Sequence, residues 1–183
     1  KNSFMPNIKI MMGKDAAEAK GLLEYGLKTK GPIALRYPKL KTVEMDKMVI
    51  LDEKWEIVLE GSKGYLISYG PDVVRLCRLV KENNLDLTVI NARFIRPLDK
   101  KMLDMIASSN KPILIYEQVV ESSSLAMMIS YYFTKQKYNG SLIYNMAFNN
   151  NQIITHGDIS EVLDYYNMGD LHILDKIKNI WKD

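Results

Sequence analysis

Arg36 is the residue of this sequence whose type and position most favour binding chemistry. It ends the apolar run IALR, and Tyr37 and Pro38 follow it. An arginine at the end of an apolar strand emerges at the carboxyl edge of a sheet, where ligands of α/β proteins collect. A guanidinium offers a planar pair of donors to a phosphate or carboxylate, but it also forms structural ion pairs with carboxylates. The residues alone leave both interpretations open.

Four further residues could contribute chemistry, and for each we favour a structural role. Arg93 and Arg96 lie near a predicted strand end, where ion pairing between domains or capping of carbonyls accounts for both. Glu117 ends another predicted strand and has no identifiable acid, base or metal partner, so we expect it to accept hydrogen bonds from loop amides. His156 precedes a predicted helix, and no nucleophile accompanies it. The residues thus form no complete catalytic constellation.

The segment 63–99 predicts the strand–helix–strand unit around which the chain is organised. KGYLISYG is an apolar strand closed by Gly70, and LDLTVINARFI is a second strand stopped by Pro97. Asp99 is placed to cap the next helix. Between the strands, PDVVRLCRLVKENN has a helical period. Its apolar face consists of Val73, Leu76, Cys77 and Val80.

A second unit of the same kind precedes it. A strand at 8–12, a helix at 16–29 capped by Asp15, and the strand IALRY follow one another. Gly21 and Gly26 permit close packing of this helix. Its predicted buried stripe consists of Ala16, Ala19, Leu22, Leu23, Gly26 and Leu27.

The remaining segments complete an alternation of strands and helices. Residues 39–54 show no clear period and predict a linker, and WEIVLEGSKGYLISYG predicts an antiparallel hairpin. Four segments follow: a helix at 99–109, the strand PILIYE, a helix capped within Ser122–Ser124 and the strand SLIYNMAF. Short helices near 158–168 and 170–182 close the chain, the last with an apolar stripe of Leu171, Leu174, Ile177 and Trp181. We predict a three-layer α/β/α domain, whose mostly parallel sheet has one antiparallel strand, preceded by the tail of a second α/β domain.

Composition excludes several classes of protein. The 183 residues are 47% hydrophobic and 26% charged with a formal charge of +3, which is typical of a globular protein and gives no basic stripe for nucleic acid. No apolar run approaches the roughly 20 residues of a membrane span. One cysteine, Cys77, and two histidines offer neither disulfides nor a metal cluster, which fits the cytoplasm. Since the first residue is Lys1, close to a strand, we expect the chain to begin inside a larger protein.

Several motifs, in this order, resemble the 1-deoxy-D-xylulose-5-phosphate synthase family of transketolase-like thiamine diphosphate enzymes. GPIALRYPK at 31–39 is similar to that family's Gly-Pro-x-Ala-x-Arg-Tyr-Pro signature. VINARFIRPLD at 89–99 resembles a strand-to-helix corner shared with the beta subunits of 2-oxoacid dehydrogenases. YGPDV, YEQVVESSS and THGDISEVLDYYNMGDLHILDKI follow in the family's order. The resemblance covers nearly the whole chain.

The resemblance implies that residues 1–38 are the tail of the pyrimidine-binding domain, and that 55–183 form the transketolase C-terminal domain. It implies that Arg36 binds the phosphate of glyceraldehyde 3-phosphate, which the parent enzyme condenses with pyruvate in isoprenoid precursor synthesis. It further implies a homodimer that uses thiamine diphosphate and Mg²⁺. The family's Gly-Asp-Gly motif is absent from the chain, so we expect no catalytic, cofactor-binding or metal-binding residue in it, and no activity of the fragment alone.

Two other functions remain open. The corner at 89–99 is equally typical of a 2-oxoacid dehydrogenase E1 beta-type subunit, which is the enzyme alternative. The absence of a catalytic constellation also fits a non-catalytic dimerisation or interaction module.

Overall fold

A computed structural model describes residues 7–38, 48–152 and 154–182 of the chain. Its strands and helices alternate for most of this length. In chain order they are β1 (Lys9–Met12), α1 (Ala16–Lys28), β2 (Ile33–Arg36), β3 (Glu56–Leu59), β4 (Tyr65–Ser68), α2 (Asp72–Glu82), β5 (Thr88–Asn91), β6 (Phe94–Arg96), α3 (Lys100–Ser108), β7 (Ile113–Val120), α4 (Leu125–Gln136), β8 (Ile143–Phe148), α5 (Ile159–Tyr165) and α6 (Asp170–Ile180).

The larger sheet has five strands in the order β3-β5-β4-β7-β8. Strands β5, β4, β7 and β8 pair in parallel, and β3 pairs antiparallel with β5. Successive side chains enter two separate cores: Leu66 packs with α2, α5 and α6, and Ile67 packs with α3 and α4. Because helices cover both faces, this is the expected three-layer α/β/α domain with one antiparallel strand.

The smaller sheet has three strands in the order β2-β1-β6. β1 and β2 pair in parallel through the crossover helix α1, as the sequence predicted for the first unit. β6 pairs antiparallel with β1, so a strand from the middle of the chain completes the N-terminal sheet.

The predicted hairpin is wrong. β3 and β4 do not pair with each other, because β5 lies between them. The connection folds over the start of β5 instead, where Gly61 N–H donates to Thr88 Oγ1 (3.0 Å) and Lys63 N–H donates to the Asp86 carbonyl (2.9 Å). A Cβ on Gly61 would lie 2.4 Å from the Leu87 backbone, so glycine permits this close approach.

The predicted single strand LDLTVINARFI is two strands in two sheets. Ala92 N–H still donates to the Ser68 carbonyl (2.7 Å) in the larger sheet, whereas the Arg93 carbonyl accepts from Met12 N–H (3.0 Å) in the smaller one. The chain therefore changes sheets at residues 92 and 93.

The predicted helix caps are confirmed. Asp15, Asp99 and Ser124 each accept a hydrogen bond from the backbone N–H three residues later. In α2 the predicted apolar face is buried as well. Gly21 is needed where predicted, because its Cβ would lie 1.9 Å from the Met48 carbonyl oxygen.

Two predicted apolar stripes are partly wrong. In α1 the buried residues are Glu18, Gly21, Leu22 and Gly26, whereas Leu23 and Leu27 are 47% and 76% exposed. The buried contacts of Glu18 set the rotation of this helix. In α6, Leu171 is 74% exposed and Ile173 is buried in its place. The neighbouring Asp170, held by Arg75 and Arg78, fixes the start of α6.

Only part of the predicted linker 39–54 can be compared, since 39–47 lie outside the described residues. Residues 48–54 have no regular structure, but Ile50 is buried and Met48 N–H donates to the Ala17 carbonyl (3.0 Å). Within the described ranges, no helix is both long enough and apolar enough to cross a membrane.

Candidate functional site

Arg36 is the last residue of β2, and its side chain is exposed at the carboxyl end of that strand. Its Nη1 donates a hydrogen bond to the Tyr69 hydroxyl (3.3 Å), and its guanidinium carbon lies 5.3 Å from the centre of the Tyr69 ring. Among the described residues, Arg36 has no carboxylate within ion-pair distance. The structural ion pair considered from the sequence is therefore not made directly within this part of the chain.

Tyr69 reaches Arg36 because it directly follows β4 and precedes a tight turn. Gly70 makes that turn with φ of +67°, a conformation that strongly favours glycine. Tyr69 is only 5% exposed, and its hydroxyl donates to Glu117 Oε2 (3.1 Å). Burial, and next the charge of Glu117, raise the pKa of Tyr69, so its hydroxyl stays protonated and can make this donation.

Glu117 lies in β7 and is 1% exposed. Its carboxylate accepts from the backbone N–H groups of Leu125 (2.8 Å) and Ala126 (3.1 Å) at the start of α4. The prediction that Glu117 accepts hydrogen bonds from backbone amides is thus confirmed, although the donors begin a helix rather than belong to a loop, and β7 continues past Glu117 to Val120. Burial raises the pKa of Glu117, although the two amides and the Tyr69 hydroxyl act in the opposite direction.

An open cavity of about 1060 Å³ adjoins Arg36. Two arginines line it, and their surroundings differ. Arg75 is committed to the protein, because it donates to Asp170 (2.5 Å), the Tyr116 hydroxyl (2.8 Å) and the Met168 carbonyl (3.2 Å). Arg36 has one neutral hydrogen-bond partner among the described residues. The arrangement can therefore accept an anion at Arg36 without first breaking an ion pair there.

Four aspartates also line this cavity, and two of them, Asp72 and Asp170, are engaged with other side chains. Both Asp72 oxygens accept from Gln118 Nε2 (3.0 Å each), and Asp170 binds Arg75 and Arg78. In the ranges that the structure describes, no group of three or more His, Cys, Asp or Glu side chains could hold a metal ion.

The other sequence candidates lie apart from this cavity. Arg93 makes the expected contacts between segments, with Glu18 (3.2 Å) and the Lys54 carbonyl (2.8 Å). Arg96 ends β6 opposite Ile10 of β1. His156 lies in an exposed loop beside a different cavity, and the α5 cap is Asp158 rather than His156.

Sequence reasoning missed the connection between Arg36, Tyr69 and Glu117. The three lie far apart in the chain. They meet because β2 of the smaller sheet ends close to Tyr69, which follows β4, and because β4 pairs with β7, which carries Glu117. Tyr69 did carry a signal, since it stands between a buried strand and a glycine turn. That signal predicts the contact with Glu117 only when β4 and β7 are known to be neighbouring strands.

The structure thus contains a three-layer α/β domain, and the exposed guanidinium of Arg36 lies beside a cavity. The family model "Transketolase, C-terminal domain" matches residues 53–173, which is 121 of the 183 residues. The chain belongs to that family.

Curated relatives are similar over nearly the whole chain. A 1-deoxy-D-xylulose-5-phosphate synthase of Lysinibacillus sphaericus is 31% identical over 172 residues, covering 90% of this chain and 27% of the relative. The synthase of Macrococcus caseolyticus is 31% identical over 188 residues, covering 97% and 29%. The chain thus spans little more than a quarter of the length of these relatives.

Solved structures share the fold. A split-gene transketolase in an inactive β4 tetramer matches with a TM-score of 0.81 at 13% identity, over 97% of this chain and 59% of that one. Transketolase from Campylobacter jejuni matches with a TM-score of 0.66 at 14% identity, over 96% of this chain and 26% of that one.

Proposed function

We propose that this chain works as the C-terminal part of a thiamine diphosphate-dependent transferase. The complete enzyme condenses pyruvate with glyceraldehyde 3-phosphate, releases carbon dioxide and forms 1-deoxy-D-xylulose 5-phosphate for isoprenoid synthesis. The order of the sequence motifs, the family match and the names of the curated relatives support this proposal. In it, residues 1–38 are the tail of the pyrimidine-binding domain, 39–54 the linker and 55–183 the C-terminal domain.

The role of Arg36 in this proposal is to bind the phosphate of the aldehyde substrate. The observation that carries it is the exposed guanidinium beside the cavity, with the neutral Tyr69 hydroxyl as its hydrogen-bond partner. A phosphate dianion would supply the charge and the paired acceptors that a guanidinium binds. The carboxyl end of β2 is also where α/β folds gather ligands.

Thiamine diphosphate and Mg²⁺ belong to the complete enzyme in this proposal. Among the described residues, Asp72 and Asp170 are already held by Gln118 and by arginines, and no group of three or more His, Cys, Asp or Glu side chains could hold the metal ion. We therefore assign no catalytic step to this chain and expect it to be inactive alone. A related fold, the split-gene transketolase tetramer, is likewise described as inactive.

The proposal extends to assembly and location. Met127 and Tyr131 of α4 are 57% and 70% exposed, and such apolar surface on one helix supports a homodimer. The single cysteine, Cys77, is a buried free thiol, which agrees with the cytoplasm.

Kinetics of the complete enzyme with Arg36→Ala test the proposal. Loss of a charge-assisted contact worth roughly 1.5–3 kcal/mol should raise KM for glyceraldehyde 3-phosphate about ten- to hundredfold and leave KM for pyruvate unchanged. Arg36→Lys should restore only part of the affinity, since lysine lacks the planar fork. Lys101→Ala is the control, because Lys101 is an exposed cation on α3 and does not line the cavity. Equal changes in both KM values with a lower melting temperature would instead indicate a structural ion pair.

A further inference from the structure

An exposed arginine at a strand end has many accessible rotamers, and ordering it on binding costs conformational entropy. Arg36 is at such a position, but it is not unsupported. The Tyr69 ring lies under the guanidinium, and the Tyr69 hydroxyl accepts a hydrogen bond from Nη1. Both contacts favour one placement of the guanidinium before any ligand arrives.

The Tyr69 hydroxyl is itself oriented. A phenol has one proton to donate, and here that proton goes to Glu117 Oε2 (3.1 Å). The oxygen lone pairs are therefore left to accept from Arg36. If Glu117 were absent, the hydroxyl could rotate, and its proton could point towards the guanidinium.

Glu117 is in turn fixed by the start of α4. Leu125 N–H and Ala126 N–H occupy Oε2 and Oε1, and the side chain is 1% exposed. The carboxylate also attracts the Arg36 charge through space. A series of hydrogen bonds thus runs from the start of α4 through Glu117 and Tyr69 to the exposed guanidinium of Arg36.

We infer that Tyr69 and Glu117 are positioning residues, which hold Arg36 in the orientation that binds the phosphate of the substrate. The inference rests on the proposed function of Arg36. One of the five N–H donors of a guanidinium is used by Tyr69, so the others remain for the anion. Glu117 acts through Tyr69, and Tyr69 acts through Arg36.

Tyr69→Phe in the complete enzyme is the first test, because it keeps the ring and removes only the hydroxyl. KM for glyceraldehyde 3-phosphate should rise about three- to tenfold, with kcat and KM for pyruvate unchanged. The matched control is Tyr116→Phe, which removes another buried hydroxyl, one that serves the committed Arg75. It should leave the ratio of the two KM values unchanged.

Double variants show whether the residues act through one another. Adding Tyr69→Phe to Arg36→Ala should give no further increase in the aldehyde KM. Glu117→Gln should raise that KM in the native background and have no further effect beside Tyr69→Phe. Melting temperatures of all variants separate these kinetic effects from loss of folded protein.

The failures are distinguishable. If Arg36→Ala raises the aldehyde KM and Tyr69→Phe does not, the inference is wrong and the proposed function stands. Additive effects of Tyr69→Phe and Arg36→Ala, or equal changes in both KM values, also overturn the inference. If Arg36→Ala leaves the aldehyde KM unchanged, both the proposed role of Arg36 and the inference are wrong.

Discussion

Two buried carboxylates near helix N-termini show how differently one fold uses the same group. Glu18, near the start of α1, is 0% exposed, and its partners include two cations, Arg93 (3.2 Å) and Lys14 (3.5 Å). Asn91 Nδ2 also donates to both of its oxygens (3.0 and 2.9 Å). Glu117, near the start of α4, is 1% exposed and receives only neutral donors among the described residues.

This difference in partners distinguishes the structural role of Glu18 from the role of Glu117 beside the candidate site. Of the two cations around Glu18, Arg93 is distant in the chain and lies between β5 and β6. Lys14 precedes Glu18 by four residues and also binds Glu56 of β3. This cluster therefore joins the three-stranded sheet to the five-stranded one. Glu117 has no direct cation among the described residues, and Arg36 meets it only through Tyr69. The Arg36 guanidinium is therefore held by Tyr69 and makes no direct ion pair with the described residues.

The largest expected effect is on stability when the Glu18 cluster is broken. Glu18→Gln removes the fully buried counter-charge of Arg93 and Lys14, whose side chains are 13% and 12% exposed. The partly exposed Glu56 is then their remaining carboxylate partner. Loss of one partner of a buried ion pair costs about 3–5 kcal/mol. Urea denaturation of this chain should show that loss in the free energy of unfolding.

The matched control is Glu60→Gln, at an exposed position just after β3. Its free energy of unfolding should stay within about 0.5 kcal/mol of the native value. If Glu18→Gln behaved like this control, Glu18 would not join the two sheets in the way that its contacts indicate.

Glu117→Gln should have a smaller effect on the same measurement. A glutamine keeps one acceptor oxygen and places an NH₂ group against an amide of α4, so one buried N–H loses its partner. Such a loss costs about 1–3 kcal/mol. A destabilisation larger than that of Glu18→Gln would reverse the comparison, and would show that neutral donors hold a buried carboxylate more strongly than cations do here.

The sequence predicted the layers better than it predicted these contacts. Alternating apolar runs and caps such as Asp15 are local signals, and they placed most of the helices and strands. The predicted buried stripe of α1 is partly wrong because a hydrophobic pattern ranks Leu23 as buried and Glu18 as exposed. The ion pair of Glu18 with Arg93, which is distant in the chain, favours the reverse.

The predictions of strand order and of the contacts at the site were incomplete for a related reason. The Gly-containing loop at 61–64 is compatible with a hairpin, and only its contacts with residues 86–88 show that β5 intervenes. Arg36 was identified from its position at a strand end, but its link to Glu117 depends on β4 and β7 being neighbours. Neither fact is encoded within a single window of sequence.

The smallest expected effect is the pH dependence, and its sign differs between the two clusters. Burial alone would raise the pKa of Glu56, but hydrogen bonds from Lys14 and Asn91 outweigh it and hold that pKa below its ordinary value of 4.5. The stability that Glu56 contributes is present above pH 4.5 and is lost as the pH falls through the lowered pKa. For Glu117, burial raises the pKa, so its contribution is greatest at low pH and is lost as the pH rises from 4.5 through the raised pKa.

Unfolding free energies of the native chain, Glu56→Gln and Glu117→Gln, measured at several pH values between about 3 and 8, test these signs. The native chain's advantage over Glu56→Gln should grow with rising pH, because the native carboxylate becomes ionised beside its cations. Its advantage over Glu117→Gln should shrink over the same range, because the native carboxylate must then ionise among neutral donors. If both differences grew with pH, Glu117 would have to be stabilised by a positive charge as Glu56 is, and the contrast between the two clusters would be lost.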